Sequence, residues 1–144
     1  MFLNRGDHFE ARALPAEAKF APAFGVAVAD FDGDSRIDLA VGVQGGATRR
    51  LRNATARPGV RVALRGPSRY PDAVGAVVRL EFGARSGAAR EIHAGSGWWS
   101  QDSATLTLAT PSEPGSVQVR WPGGRRTTMP WPAGQRRMTV SVDD

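Results

Sequence analysis

Asp30, Asp32, Asp34 and Asp38 fall at positions 1, 3, 5 and 9 of one short stretch, Asp30-Phe31-Asp32-Gly33-Asp34-Ser35-Arg36-Ile37-Asp38. Four carboxylates held this close repel one another unless a cation or a proton intervenes. A hard divalent cation takes roughly six to eight oxygens at about 2.3–2.6 Å, and alternate loop side chains with a backbone carbonyl at the seventh position can wrap one such ion. The expected ligands of a calcium ion, Ca2+, are therefore Asp30, Asp32, Asp34, Asp38 and the carbonyl of Arg36. A merely solvated acidic turn has no need of this register. Ser35 stands at the sixth position, where glycine ordinarily makes a left-handed turn. The loop is expected to carry strain of about 1 kcal/mol there, and to bind its ion more weakly for it.

Other chemistries lack their residues. A nucleophilic triad needs an activated Ser or Cys beside a His. The histidines are His8 and His93, and no G-x-S-x-G elbow accompanies either. Cysteine is absent, so disulfides and thiolate metal ligands are excluded, and zinc would draw on His or Cys. A glycosidase pair sits across its substrate, about 5 Å or more apart, whereas these aspartates have the spacing of a cage around one ion. No enzymatic activity is expected. Arg5-Gly6-Asp7 spells an adhesion tripeptide, but Arg and Asp are common neighbours of a turn glycine and the match carries no weight.

The elements that position the loop are strands. Phe24-Gly25-Val26-Ala27-Val28-Ala29 precedes it, and Ile37-Asp38-Leu39-Ala40-Val41-Gly42-Val43 runs out of it, both Val-rich and bounded by glycine. An EF-hand would have helices on both sides and a Glu at position 12, where this chain has Val41. Further on, Val60, Val62 and Leu64 alternate with Arg61 and Arg65. Val78, Leu80 and Phe82 alternate with Arg79 and Glu81, and Val117, Val119 and Trp121 with Gln118 and Arg120. Each strand is expected to turn one face to a core and the other to water. Strands at 91–94, 105–108, 127–131 and 138–142 bring the second half to about seven, a number suited to a sandwich or a small barrel. Pro122-Gly123-Gly124 marks a hairpin turn.

Composition agrees with an all-β protein. The 144 residues are 41% hydrophobic, enough for a core, and the 17 Gly and 10 Pro punctuate short segments. No apolar run approaches the length of about 18 residues that reads as a membrane-spanning helix, so membrane insertion is not expected. Residues 1–55 carry seven Lys or Arg against seven Asp or Glu, so the net charge of +5 sits entirely in residues 56–144. Eighteen of the nineteen basic residues are Arg, a side chain suited to bidentate contact with carboxylate, sulfate or phosphate. With no zinc finger, RNP-like aromatic pair or basic recognition helix, nucleic acid is not the expected partner. An acidic glycan, or an unidentified protein, is. Gly95-Ser96-Gly97-Trp98-Trp99-Ser100-Gln101 adds two adjacent tryptophans. In a strand they would face opposite ways, one toward the core or a domain seam and the other outward as a sugar or partner platform. Trp121 and Trp131 are expected in the core or at its rim.

FLNRGDHFEARAL, FGVAVADFDGDSRIDLAVG and RRLRN together resemble one FG-GAP or VCBS-type repeat of a β-propeller, with Asn4, Gly6 and Phe9 matching its N-x-G-x-x-F hairpin. PDAVGAVVRLEF, REIHAGSGWWSQDSATL and VQVRWPGGR resemble the ASPIC/UnbV domain that closes cartilage-acidic-protein-like chains. Leu106-Thr107-Leu108-Ala109-Thr110 departs from the F-G-L-G-like segment usual there. The resemblance implies a propeller-like blade with a calcium loop over residues 1–55 and a β-sandwich or small barrel over 56–144. The chain would then be the C-terminal part of a longer propeller protein, in a secreted, periplasmic or cell-surface setting. A lone blade leaves apolar faces that could self-associate.

The sequence thus predicts a calcium-binding, non-catalytic binding or structural module. The alternative is an acidic-glycan-binding module that uses an Arg-rich face, with Arg61, Arg79 and Arg120, and an exposed Trp98 or Trp99.

Overall fold

The computed structural model of the protein describes residues 2–13 and 22–142. Met1, Leu14 and the stretch to residue 21, together with Asp143 and Asp144 of the two expected domains, lie outside the described residues. Those described form thirteen strands and no helix. Glycine and proline interrupt the chain too often for a 3.6-residue apolar stripe to develop, and the β-branched runs between them favour strands.

The N-terminal part holds two small antiparallel sheets. β1 (Phe2–Asn4) pairs with β2 (Phe9–Ala11), Asn4 opposite Phe9. Asn4 Oδ1 accepts from the amide of Gly6, whose φ is +103°, so these two residues turn the chain between β1 and β2. β3 (Ala23–Ala29), β4 (Asp38–Val43) and β5 (Arg49–Leu51) form a meander, β3-β4-β5. β2 and β3 are not hydrogen bonded, so among the described residues these strands make a ribbon and a separate sheet, without one continuous four-stranded blade. Burial here is sparse. Val41 and Val43 are enclosed, while Phe2, Phe9, Phe24 and Val26 are exposed.

The C-terminal part carries the core. β6 (Val60–Arg65) lies between β10 (Leu106–Leu108), antiparallel, and β13 (Arg137–Ser141), parallel. The second sheet runs β12 (Arg126–Pro130), β11 (Ser116–Arg120), β7 (Val77–Phe82), β8 (Arg85–Ser86), with β9 (Arg90–Glu91) also on β7. Val62 and Val140 from one sheet and Val78, Val117 and Val119 from the other are almost wholly buried in one cluster, so the two sheets face each other across a shared interior. This is the sandwich rather than the barrel. No strand pair joins the two sheets, so they do not close into a barrel.

The expected alternation holds on β6, β7 and β11, and each of the seven expected strands has an observed counterpart; the short β8 is additional. Trp121 and Trp131 are buried, each with its indole N–H satisfied, by Thr127 Oγ1 at 2.8 Å and the Gln135 carbonyl at 3.0 Å. A buried tryptophan needs such a partner, since an orphaned donor would forfeit its hydration.

Candidate metal centre

The β3–β4 connection folds back on itself through its own carboxylates. Asp30 Oδ1 accepts from Gly33 N at 2.7 Å and Oδ2 from Ser35 N at 2.9 Å. Asp34 Oδ1 accepts from Arg36 N at 2.9 Å. Gly33 at φ +82° and Ser35 at φ +67° supply the left-handed steps, so Ser35 takes the glycine-like conformation expected of its position. One oxygen from each of Asp30, Asp32 and Asp34 then lies within 4.8 Å of the other two. The donor set is all carboxylate oxygen, which suits a hard cation.

Asp38 stands apart from that cluster. It is fully buried at the start of β4, with Oδ1 taking the amide of Asn53 at 2.8 Å and Oδ2 the amide of Phe31 at 3.3 Å. Its carboxylate ties both ends of the loop to the chain that leaves β5. Arg36, whose carbonyl was the expected ligand at the seventh loop position, sends its side chain back to Asp34 Oδ2 at 2.8 Å and across to the Ala56 carbonyl at 2.6 Å.

Four guanidinium groups surround the four carboxylates. Besides Arg36, Arg52 donates to Asp32 and reaches Asp34 at 3.3 Å; Arg50 lies 3.4 Å from Asp38; and Arg61 lies 3.4 Å from Asp30. Formal charge within the site therefore cancels. Partial burial pushes the Asp34 carboxyl upward, but the hydrogen bonds and charge of Arg36, with help from Arg52, outweigh it and hold the group below the usual carboxylate range. Arg52 is raised in turn by its hydrogen bond to Asp32 and the charge there. Arg50 and Arg52 were not among the expected site residues. Their signal was their alternate spacing in Arg50-Leu51-Arg52, which sends both to one side of an extended chain.

The site also joins the two parts of the chain. Gly59 N donates to the Ser35 carbonyl at 2.7 Å. A Cβ at residue 59 would overlap the Leu108 carbonyl oxygen, so only glycine lets the chain enter β6 beside β10 while making that bond. On β3, just before the loop, Asp102 Oδ1 accepts from Val28 N at 2.8 Å and Ser103 N donates to the Val28 carbonyl at 3.0 Å. Residues 102–103 thereby occupy the free edge of β3. Between this contact and β9 opens a cleft of about 680 Å³, lined in part by Ile37, Arg90, Glu91, His93 and Gln101.

The remaining expected residues disperse. Residues 95–101 are a turn, closed by Gln101, which donates to the His93 carbonyl at 2.8 Å and accepts from Gly95 N. Neither tryptophan enters the core or a seam, which corrects the expectation of opposite faces. Trp98 and Trp99 are 72% and 86% exposed, with ring centroids 6.4 Å apart and planes 15° from parallel. Strand alternation fails because Trp99 adopts φ +51°. Arg61 turns toward the aspartate loop, whereas Arg79 and Arg120 are exposed on the outer face of the five-stranded sheet.

No curated protein matches the chain. A model of the ASPIC and UnbV family does match, over residues 66–144. That span covers more than half of the chain and includes β7 to β13, the whole five-stranded sheet and most of the buried core. This chain belongs to the ASPIC and UnbV family.

Proposed function

We propose that the protein is a calcium-binding, non-catalytic module in which the ion clamps the β3–β4 loop beside the C-terminal sandwich. The observation that carries this reading is the trio of Asp30, Asp32 and Asp34 carboxylate oxygens within 4.8 Å of one another. Asp30, Asp32 and Asp34 would hold the ion, with the Arg36 carbonyl and Asp38 at the remaining loop positions. When bound, it would supply positive charge that now comes from guanidinium groups. A site held by Arg61 and Gly59 from one side and β4 from the other makes a structural clamp a better fit than a sensor, since nothing in it is poised to open a surface.

Residues 1–55 are read as a propeller-type repeat, supported by the Asn4–Gly6 turn and by the exposed Phe2, Phe9, Phe24 and Val26. Such apolar faces suit neighbouring blades or self-association. A secreted, periplasmic or cell-surface setting, where calcium is abundant, goes with this reading.

Calorimetric titration with calcium chloride, and thermal melts with and without EDTA, test it. Saturable binding at or below millimolar calcium, with a raised Tm that EDTA reverses, is expected. Absence of binding at millimolar calcium, together with an unmoved Tm, sinks the reading.

A further inference from the structure

Arg120 on β11 and Arg126 on β12 are direct partners in the antiparallel register, and Gln118, on the same face, is the partner of Arg79 on β7. Alternation sends Val78, Val117 and Val119 inward, so the three arginines share the solvent face of one rigid sheet. Together with Val77 and Gln118 they line a shallow depression of about 190 Å³.

No carboxylate lines that depression. Glu81 is engaged by the Ser86 hydroxyl at 2.6 Å, and Glu91 by His93 at 3.7 Å. Arg79, Arg120 and Arg126 have no ion-pair or hydrogen-bond partner among the described side chains. Like charges directly opposite each other on neighbouring strands destabilise a sheet. Here the repulsion is left uncompensated at a place where the backbone fixes the spacing of the guanidinium groups.

Such a cluster is preorganised for an oxyanion, because each guanidinium offers paired donors in a planar fork. The depression is smaller than the roughly 300–1,000 Å³ typical of whole-ligand pockets, so it takes one charged group while the rest of the ligand lies along the surface. No aromatic side chain lines it, which leaves a nucleic-acid base nothing to stack on.

We propose that Arg79, Arg120 and Arg126 form a binding site for the sulfate or carboxylate groups of an acidic polysaccharide. The site is remote in sequence from the aspartate loop and does not depend on calcium.

Retention on a sulfated-polysaccharide column and on a polyuronate column at low salt, in EDTA, tests this with the full chain. Wild type should bind at least one of them, and Arg126→Ser should weaken that binding by about tenfold or more. Arg120→Glu, which replaces a like pair by an opposite one, should abolish retention and raise the Tm in the absence of ligand, showing that it folds. Arg69→Ser, an exposed arginine outside the depression, should bind as wild type does. Equal loss in Arg69→Ser would mean that net charge alone is responsible and would overturn the site. So would failure of wild type to bind either polymer, or preferential capture of single-stranded DNA. Full competition by inorganic sulfate at matched ionic strength would overturn the polymeric occupant.

Discussion

Arg61 Nη1 lies 3.4 Å from Asp30 Oδ2. The pair joins β6, in the middle of a core sheet, to the first aspartate of the loop between β3 and β4, and both side chains are largely shielded, at 19% and 1% exposure. It adds an ion pair to a junction that also holds the backbone hydrogen bonds of Gly59 and Ser103 and the Asp102 carboxylate on the Val28 amide.

Replacing Arg61 by Met keeps the aliphatic stem and removes the charge. Asp30 retains its two amide donors, so the expected loss is about 1–3 kcal/mol in urea unfolding. A loss below about 0.3 kcal/mol would show that the junction does not need the pair.

Asp38 and Asp32 are expected to behave differently. Asp38→Ala removes a fully buried carboxylate and strands the part-buried amides of Phe31 and Asn53, and should cost about 1–3 kcal/mol with or without calcium. Asp32→Ala affects a more exposed carboxylate; it should fold and lose the calcium-dependent rise in Tm. Equal behaviour of the two variants in EDTA would contradict the separate roles assigned to them.

Arg52 competes with any cation for Asp32 and Asp34. Because it is 60% exposed, its ion pairs are weak, and Arg52→Ala should tighten calcium binding by about two- to fivefold. Calorimetry at low salt reads this directly, and weaker binding in the variant would show that Arg52 supports the ion instead.

Trp121→Phe retains most of the buried ring but loses the hydrogen bond to Thr127 and leaves a small void. The expected cost is about 1–2 kcal/mol by denaturant melt, with an unchanged calcium response.

Glu10 is held below its usual pKa by Arg12 first and Arg5 second. A carboxylate lowered by folding contributes stability that is present above its unfolded pKa and is lost as pH falls through the folded value. The β1–β2 ribbon should therefore loosen as pH drops below about 4, seen as faster amide exchange, and 0.5 M salt should move the Glu10 titration toward its ordinary value. A Glu10 titration at or above about 4.3 in low salt would contradict the arrangement.

Local pattern alone determined the strands and the turns. Alternation of Val with Arg or Gln placed β6, β7 and β11 with the correct face inward, because side-chain direction in a strand has a period of two and burial follows from it. The spacing of Asp30, Asp32 and Asp34 was likewise enough to bring their carboxylates together, since the loop closes through its own amides. Tertiary structure decided what surrounds them. Arg61 reads locally as the wet face of a strand, and only the placement of β6 beside the loop turns it toward Asp30. Arg126 becomes a neighbour of Arg120 through the register set by the Pro122-Gly123-Gly124 turn, and the two tryptophans share the solvent because one backbone dihedral breaks the alternation. Short-range periodicity reports which way a side chain points, and the sum of long-range contacts determines what it meets there.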